Sequence, residues 1–152
     1  MELATSILWI TGGQDVVANY LRSTELVTME STTIGPDLPH EVGIHCMVKM
    51  DEERVFIIGG SHFYYLSNRT IIVNPTDNFS MEFGPDLNIG RSYPACGIFE
   101  VNNKKIVAVT GGEVDPDENG SSTEIWDPDS EDGWVLGNNF YCRQKMFFFL
   151  NY

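Results

Sequence analysis

ILWITGG at Ile7–Gly13, VFIIGG at Val55–Gly60 and IVAVTGG at Ile106–Gly112 are one motif written three times. Each is an apolar run closed by a glycine pair, and the second glycines stand 47 and 52 residues apart. Other markers recur in the same order around the motif. Ser23-Thr24-Glu25-Leu26-Val27, Arg69-Thr70-Ile71-Ile72-Val73 and Thr123-Glu124-Ile125-Trp126-Asp127 follow the pairs. Gly35-Pro36-Asp37-Leu38 returns as Gly84-Pro85-Asp86-Leu87, 49 residues later. Ile44–Met50 (IHCMVKM) matches Ala95–Val101 (ACGIFEV) ahead of the later pairs, setting Cys46 against Cys96. A period near 50 with ordered markers is the signature of a repeat architecture.

Each repeat reads as four strands. Val, Ile and Thr dominate the runs, which are short and bounded by Gly, Pro, Asn and Asp. In the best sampled repeat the pattern predicts strand A over Ile44–Met50, a turn at Asp51-Glu52-Glu53 and strand B over Arg54–Gly59. A loop over Ser61–Asn68, strand C over Arg69–Asn74, a turn over Pro75–Asn78 and strand D over Phe79–Phe83 follow. Pro75 and Pro128 fall just past strands, where a missing N–H costs no ladder bond. No helix longer than a turn is expected.

This ordered set resembles kelch repeats across essentially the whole chain. The family pattern is an apolar strand ending in Gly-Gly, a strand ending in an Asx-Pro turn, and an aromatic strand. Gly12-Gly13, Gly59-Gly60 and Gly111-Gly112 match the first element, Asn74-Pro75 and Asp127-Pro128 the second. Trp134 matches the aromatic, with Phe79 near the corresponding place one repeat earlier. The first repeat has neither the Asx-Pro turn nor the tryptophan. The resemblance implies an all-β fold, a kelch-type β-propeller segment of four-stranded antiparallel blades, about three in number, in an incomplete ring. Residues 1–42 would be a blade lacking its first strand, 43–90 and 91–139 complete blades, and 140–152 strand A of a next blade or a ring-closing strand. Propellers have four to eight blades. The chain is therefore expected to be part of a longer propeller, or two copies are expected to close a six-bladed ring. Met146–Leu150 (MFFFL) is an aggregation hazard if left unpaired.

Of 152 residues, 42% are apolar and 20% charged, as in an ordinary globular chain. Twenty-two acidic against nine basic residues give a net charge of −13, which opposes binding to nucleic acid or to an anionic membrane. No apolar run has the length of a transmembrane helix. Cys46, Cys96 and Cys142 make neither an even disulfide set nor a zinc pattern, so buried thiols in a reducing compartment are expected. A cytoplasmic location is favoured, and no signal peptide is read at the start of the chain. Glycosylation patterns at Asn68, Asn78 and Asn119 keep a secreted alternative open.

No motif of nucleophilic or metal-assisted hydrolysis, and no phosphate-binding glycine loop, is present. His45 reads as a core or channel histidine, and His40 as part of a linker. Oxidases of the galactose oxidase type share the propeller, but their set of two tyrosines, two histidines and a Tyr–Cys crosslink matches no positions here. No cofactor is called for. Nine carboxylates stand between Glu113 and Asp132, and no basic residue lies between Lys105 and Arg143. Asp115–Gly120 has the alternating oxygens of a calcium loop, but Trp126 holds the twelfth position, which excludes an EF-hand. A solvated acidic loop is the expectation, with a looser calcium site as the alternative.

The resemblance implies a non-catalytic protein-interaction module that binds a protein segment through the loops of one face. These are the B–C loops, at Gln14–Arg22, Ser61–Asn68 and Glu113–Ser122, and the D–A loops, at Pro39–Gly43, Asn88–Tyr93 and Asn138–Arg143. Aromatics and arginine carry most interface energy. Tyr20, Arg22, His62, Tyr64, Arg91 and Tyr93 are therefore the candidate partner-binding residues, with Arg91 placed to fork onto a partner carboxylate.

Overall fold

The structure, a computed structural model, describes residues 7–17, 19–118 and 120–137. All regular elements among them are β-strands. The segment 140–152, Met146–Leu150 within it, and Cys142 lie outside the described residues. The chain divides between Gly43 and Ile44 into two compact units.

The first unit holds an antiparallel sheet in the order β1 (Leu8–Thr11), β2 (Thr24–Val27), β3 (Thr32–Ile34). Thr28 closes the β2–β3 turn: its N–H donates to the Ser31 carbonyl at 2.8 Å, and its Oγ1 accepts from the Ser31 N–H at 3.0 Å.

The second unit holds two four-stranded antiparallel sheets. One runs β4 (Cys46–Lys49), β5 (Val55–Ile58), β8 (Thr70–Asn74), β9 (Ser80–Phe83). The other runs β10 (Ala95–Val101), β11 (Lys104–Thr110), β12 (Thr123–Trp126), β13 (Val135–Leu136). These are the expected A, B, C and D strands, shortened by a residue or two at their ends. The stretch Ser61–Asn68, expected as a plain loop, instead contains a two-stranded hairpin, β6 (Ser61–His62) and β7 (Tyr65–Leu66).

The repeat in sequence is a repeat in hydrogen bonding. Thr11 pairs Thr24, Ile58 pairs Thr70 and Thr110 pairs Thr123. The N–H groups of Gly12, Gly59 and Gly111 donate to the carbonyls of Ser23, Arg69 and Ser122 at 3.0, 3.0 and 3.4 Å. Those of Gly35, Gly84 and Gly137 donate to Thr24, Thr70 and Thr123 at 2.9, 2.9 and 2.7 Å.

Within the second unit the two sheets meet through one cluster. Met50, Phe56 and Ile58 from the first sheet and Leu87 from the loop after it pack with Val107, Val109, Trp126 and Trp134. Fully burying each aliphatic or Phe side chain here contributes about 1.5–3 kcal/mol. The Trp126 ring lies 5.2 Å from Phe56 and 5.5 Å from Trp134. Trp134 Nε1 donates to Thr70 Oγ1 at 3.0 Å and to the Pro85 carbonyl at 3.1 Å, so its polar atom is satisfied inside the apolar cluster.

Cys46 and Cys96 are joined as a disulfide with Cα atoms 6.0 Å apart, against the expectation of reduced thiols. Strand register explains the bond. Cys46 pairs Ile58 and shares its face, while Cys96 pairs Val109 and shares the opposing one. Ile58 and Val109 meet in the cluster, so the two sulfurs point at each other across the sheet–sheet gap. A count of three cysteines hid a pair whose partners lie one residue out of register between repeats.

Candidate interaction surface

In each four-stranded sheet the glycine pair ends the second strand, and the loops beyond it gather at that end. Gly59 and Gly60 have φ of 67° and 102°. A Cβ on Gly59 would stand 2.7 Å from the Arg91 carbonyl oxygen, so glycine is required there by both conformation and space. The pair lifts the chain out of β5 into the β6–β7 hairpin. Gly60 N–H donates to Arg91 O at 2.8 Å, Ser67 N–H to Gly60 O at 2.8 Å, and Arg91 N–H to Ser67 O at 3.1 Å. The hairpin base is thereby tied to the backbone of the segment after β9.

The hairpin tip is aromatic and open. His62 pairs Tyr65 across a two-residue turn made of Phe63 and Tyr64. Tyr64 is 99% exposed and Tyr65 76%. The His62 ring meets the Phe63 ring edge-on at 4.5 Å. Phe63 has φ of 52°, an uncommon conformation for a bulky side chain, held by the surrounding hairpin.

Tyr93 extends the same end. It is 63% exposed with φ of 52°, and its N–H donates to Ile44 O at 2.9 Å. Beside it, Ser92 and Glu113 exchange two backbone hydrogen bonds of 2.9 and 2.7 Å, which brings the acidic loop after β11 to this end. Glu113, Asp115, Asp117 and Glu118 are exposed there. Among the described residues no three His, Cys, Asp or Glu side chains gather as a metal site.

Arg91 is the correction. It was expected to reach a partner, but its side chain is wholly buried. Nη1 donates to the carbonyls of Gly111 (2.9 Å) and Ser122 (3.2 Å), and Nη2 to Ser122 Oγ (2.9 Å) and Glu124 Oε1 (3.0 Å). Glu124, equally buried, also accepts from Asn88 N–H (2.6 Å), Asn88 Nδ2 (2.9 Å) and Ile89 N–H (3.1 Å). The guanidinium thus uses its fork inward, fastening the loop after β9 to the neighbouring sheet. One carboxylate of the run expected to be solvated is likewise internal.

His62, Tyr64 and Tyr93 stand together at one end of the second unit. Tyr20 and Arg22 belong to the first unit. Tyr20 is half-buried with its ring against Gly43, and exposed Arg22 pairs Asp37 at 3.3 Å. Sequence reasoning reads Tyr65 with Tyr64 as an aromatic pair in this loop and passes over Phe63 alone. The turn Phe63-Tyr64 lacks the Asn-Gly or Gly-led signature of a two-residue hairpin, so no local signal marks it. His45 is largely buried, and desolvation pushes its imidazole down to about 4. No protein-family model matches the chain, and no curated protein does.

Proposed function

We propose that the chain is a kelch-type β-propeller segment that works as a non-catalytic protein-interaction module, gripping a protein segment at the glycine-pair end of its sheets. One observation carries this reading: exposed aromatics at the hairpin tip and Tyr93 are held on a backbone tied down by the buried Arg91–Glu124 network. Aromatic side chains with few rotors on a rigid support are the groups that dominate interface energetics. The carboxylates beside them favour a segment with apolar and basic residues, since potentials across an interface are complementary. The repeated four-strand unit and its glycine pairs support the family reading, which rests on resemblance and analogy.

The test is selection of a random peptide library on the immobilised chain. Enrichment of basic, apolar peptides that lose about tenfold or more in affinity with Tyr64→Ala or Tyr93→Ala is expected. No enrichment, or affinities unmoved by either substitution, would overturn the assignment.

The disulfide favours a second reading of location, in an oxidising compartment. Asn78 sits exposed in a turn as a glycan acceptor, whereas the Asn68 amide donates to the Leu87 carbonyl at 3.4 Å. A glycan on Asn78 in the native protein would support it; an unmodified Asn78 with free Cys46 and Cys96 would refute it.

A further inference from the structure

The sheet–sheet contact inside the second unit is a template, and among the described residues both halves of it recur with exposed apolar side chains. On one side of the template stand Val107, Val109, Glu124 and Trp126, all buried. Strand pairing places Leu8, Ile10, Glu25 and Val27 at the same four positions of β1 and β2. There Leu8 is 61% exposed, Ile10 47%, and Glu25 lies open, while its counterpart Glu124 is enclosed by four hydrogen bonds. On the other side of the template stand Met50, Phe56, Ile58 and Ile72, packed in or against the cluster. The same positions in β10–β12 are Phe99, Ala108, Thr110 and Ile125. None of the four is buried, and Phe99, where Met50 is 4% exposed, is 41% exposed. Val101 and Val135 widen this apolar face at 45% and 55% exposure.

We infer that these two faces bind each other between copies of the chain. The β1–β3 face of one copy docks on the β10–β13 face of the next, as Val107, Val109 and Trp126 pack with Met50, Phe56 and Ile58 in the template cluster. Both faces are mainly apolar, with Glu25 the charge on the first, and they differ from one another, so the contact is head-to-tail and runs to a ring or a filament. The occupant is a second copy because its own first sheet presents aliphatic side chains, and a glutamate, at the same four positions that pack on this kind of face in the template.

Light scattering after size exclusion tests the proposal, because the two faces can be disabled separately. At concentrations up to about 200 μM, above the micromolar Kd of a weak standard interface, the wild-type chain is expected to have at least twice its 17.1 kDa. Ile10→Arg and Phe99→Arg each remove one face and are expected to run as monomers. Mixed in equal amounts, they are expected to form a dimer, since each retains the face the other lacks. Both side chains are exposed in a single chain, so unchanged circular dichroism and urea midpoints are expected; Leu8→Lys and Val101→Lys are a second pair should either first variant misfold. A monomeric wild type, a single variant that still self-associates, or a mixture that stays monomeric would each overturn the inference.

Discussion

Replacing Arg91 by Met removes the one cation that faces Glu124 among the described residues while keeping most of the volume. The carboxylate then keeps three donors, Asn88 N–H, Asn88 Nδ2 and Ile89 N–H, but lies in a site with no solvent access and no opposite charge. Breaking a buried pair in this way costs about 3–5 kcal/mol. Glu124→Met strands the guanidinium among two carbonyls and a hydroxyl and is expected to cost a similar amount. The double substitution leaves no buried charge, although Asn88 and Ile89 lose an acceptor. It is expected to cost less than the sum of the two single changes by about 2–3 kcal/mol, the upper end of measured couplings. Urea unfolding followed by tryptophan fluorescence gives all four corners of the cycle, with Trp126 and Trp134 in the adjoining cluster as reporters. Additive costs, or a loss below about 1 kcal/mol for Arg91→Met, would refute the buried pair and return Arg91 to the surface.

Protonating His45 is disfavoured in the folded chain, because burial lowers it from 6.5 to about 4. The unfolded chain binds the proton first. Stability is therefore full above about pH 6.5 and falls toward pH 4, by up to about 3 kcal/mol for this group. His45→Gln is expected to flatten that slope, read as urea midpoints across the pH range; an unchanged slope would count against a buried imidazole. The Cys46–Cys96 bond closes a loop with a sequence separation of 50 and is expected to contribute up to about 4 kcal/mol. A peptide pair linked through Cys46 and Cys96 in non-reducing mass spectrometry, and a lower urea midpoint after reduction, are the expected results; no linked pair would refute the bond. Gly59→Ala forces a Cβ onto the Arg91 carbonyl at a φ of 67° and is expected to cost about 2 kcal/mol or more. A thermal melt with no shift would show that the glycine pair is not required.

The strands were legible because alternation and turn residues are local. Val55–Ile58 and Thr70–Asn74 are apolar runs between Gly, Pro and Asn, and propensity and burial agree on them. What the sequence hid was relational. Cys46 and Cys96 differ by one residue in register, and only the pairing of strands reveals that the shift turns their side chains toward each other. Arg91 looked like an interface arginine because it stands in a loop between strands, two residues from the exposed Tyr93. Glu124, 33 residues away, decides otherwise. Tyr64 and Tyr93 were readable as open aromatics in loops, and the hairpin that presents Tyr64 was not, because Phe63 takes a left-handed conformation that turn rules assign to glycine or asparagine.

The central claim is that the glycine-pair end of the sheets is the binding end. Amide chemical shifts of the labelled chain, followed while a selected basic, apolar peptide is added, test it most directly. Perturbations confined to Ser61–Ser67, Ser92-Tyr93 and Glu113–Glu118 are predicted. Shifts centred on the opposite turns, at Asp51–Arg54, Asn102-Asn103 and Asp127–Asp132, would contradict the account.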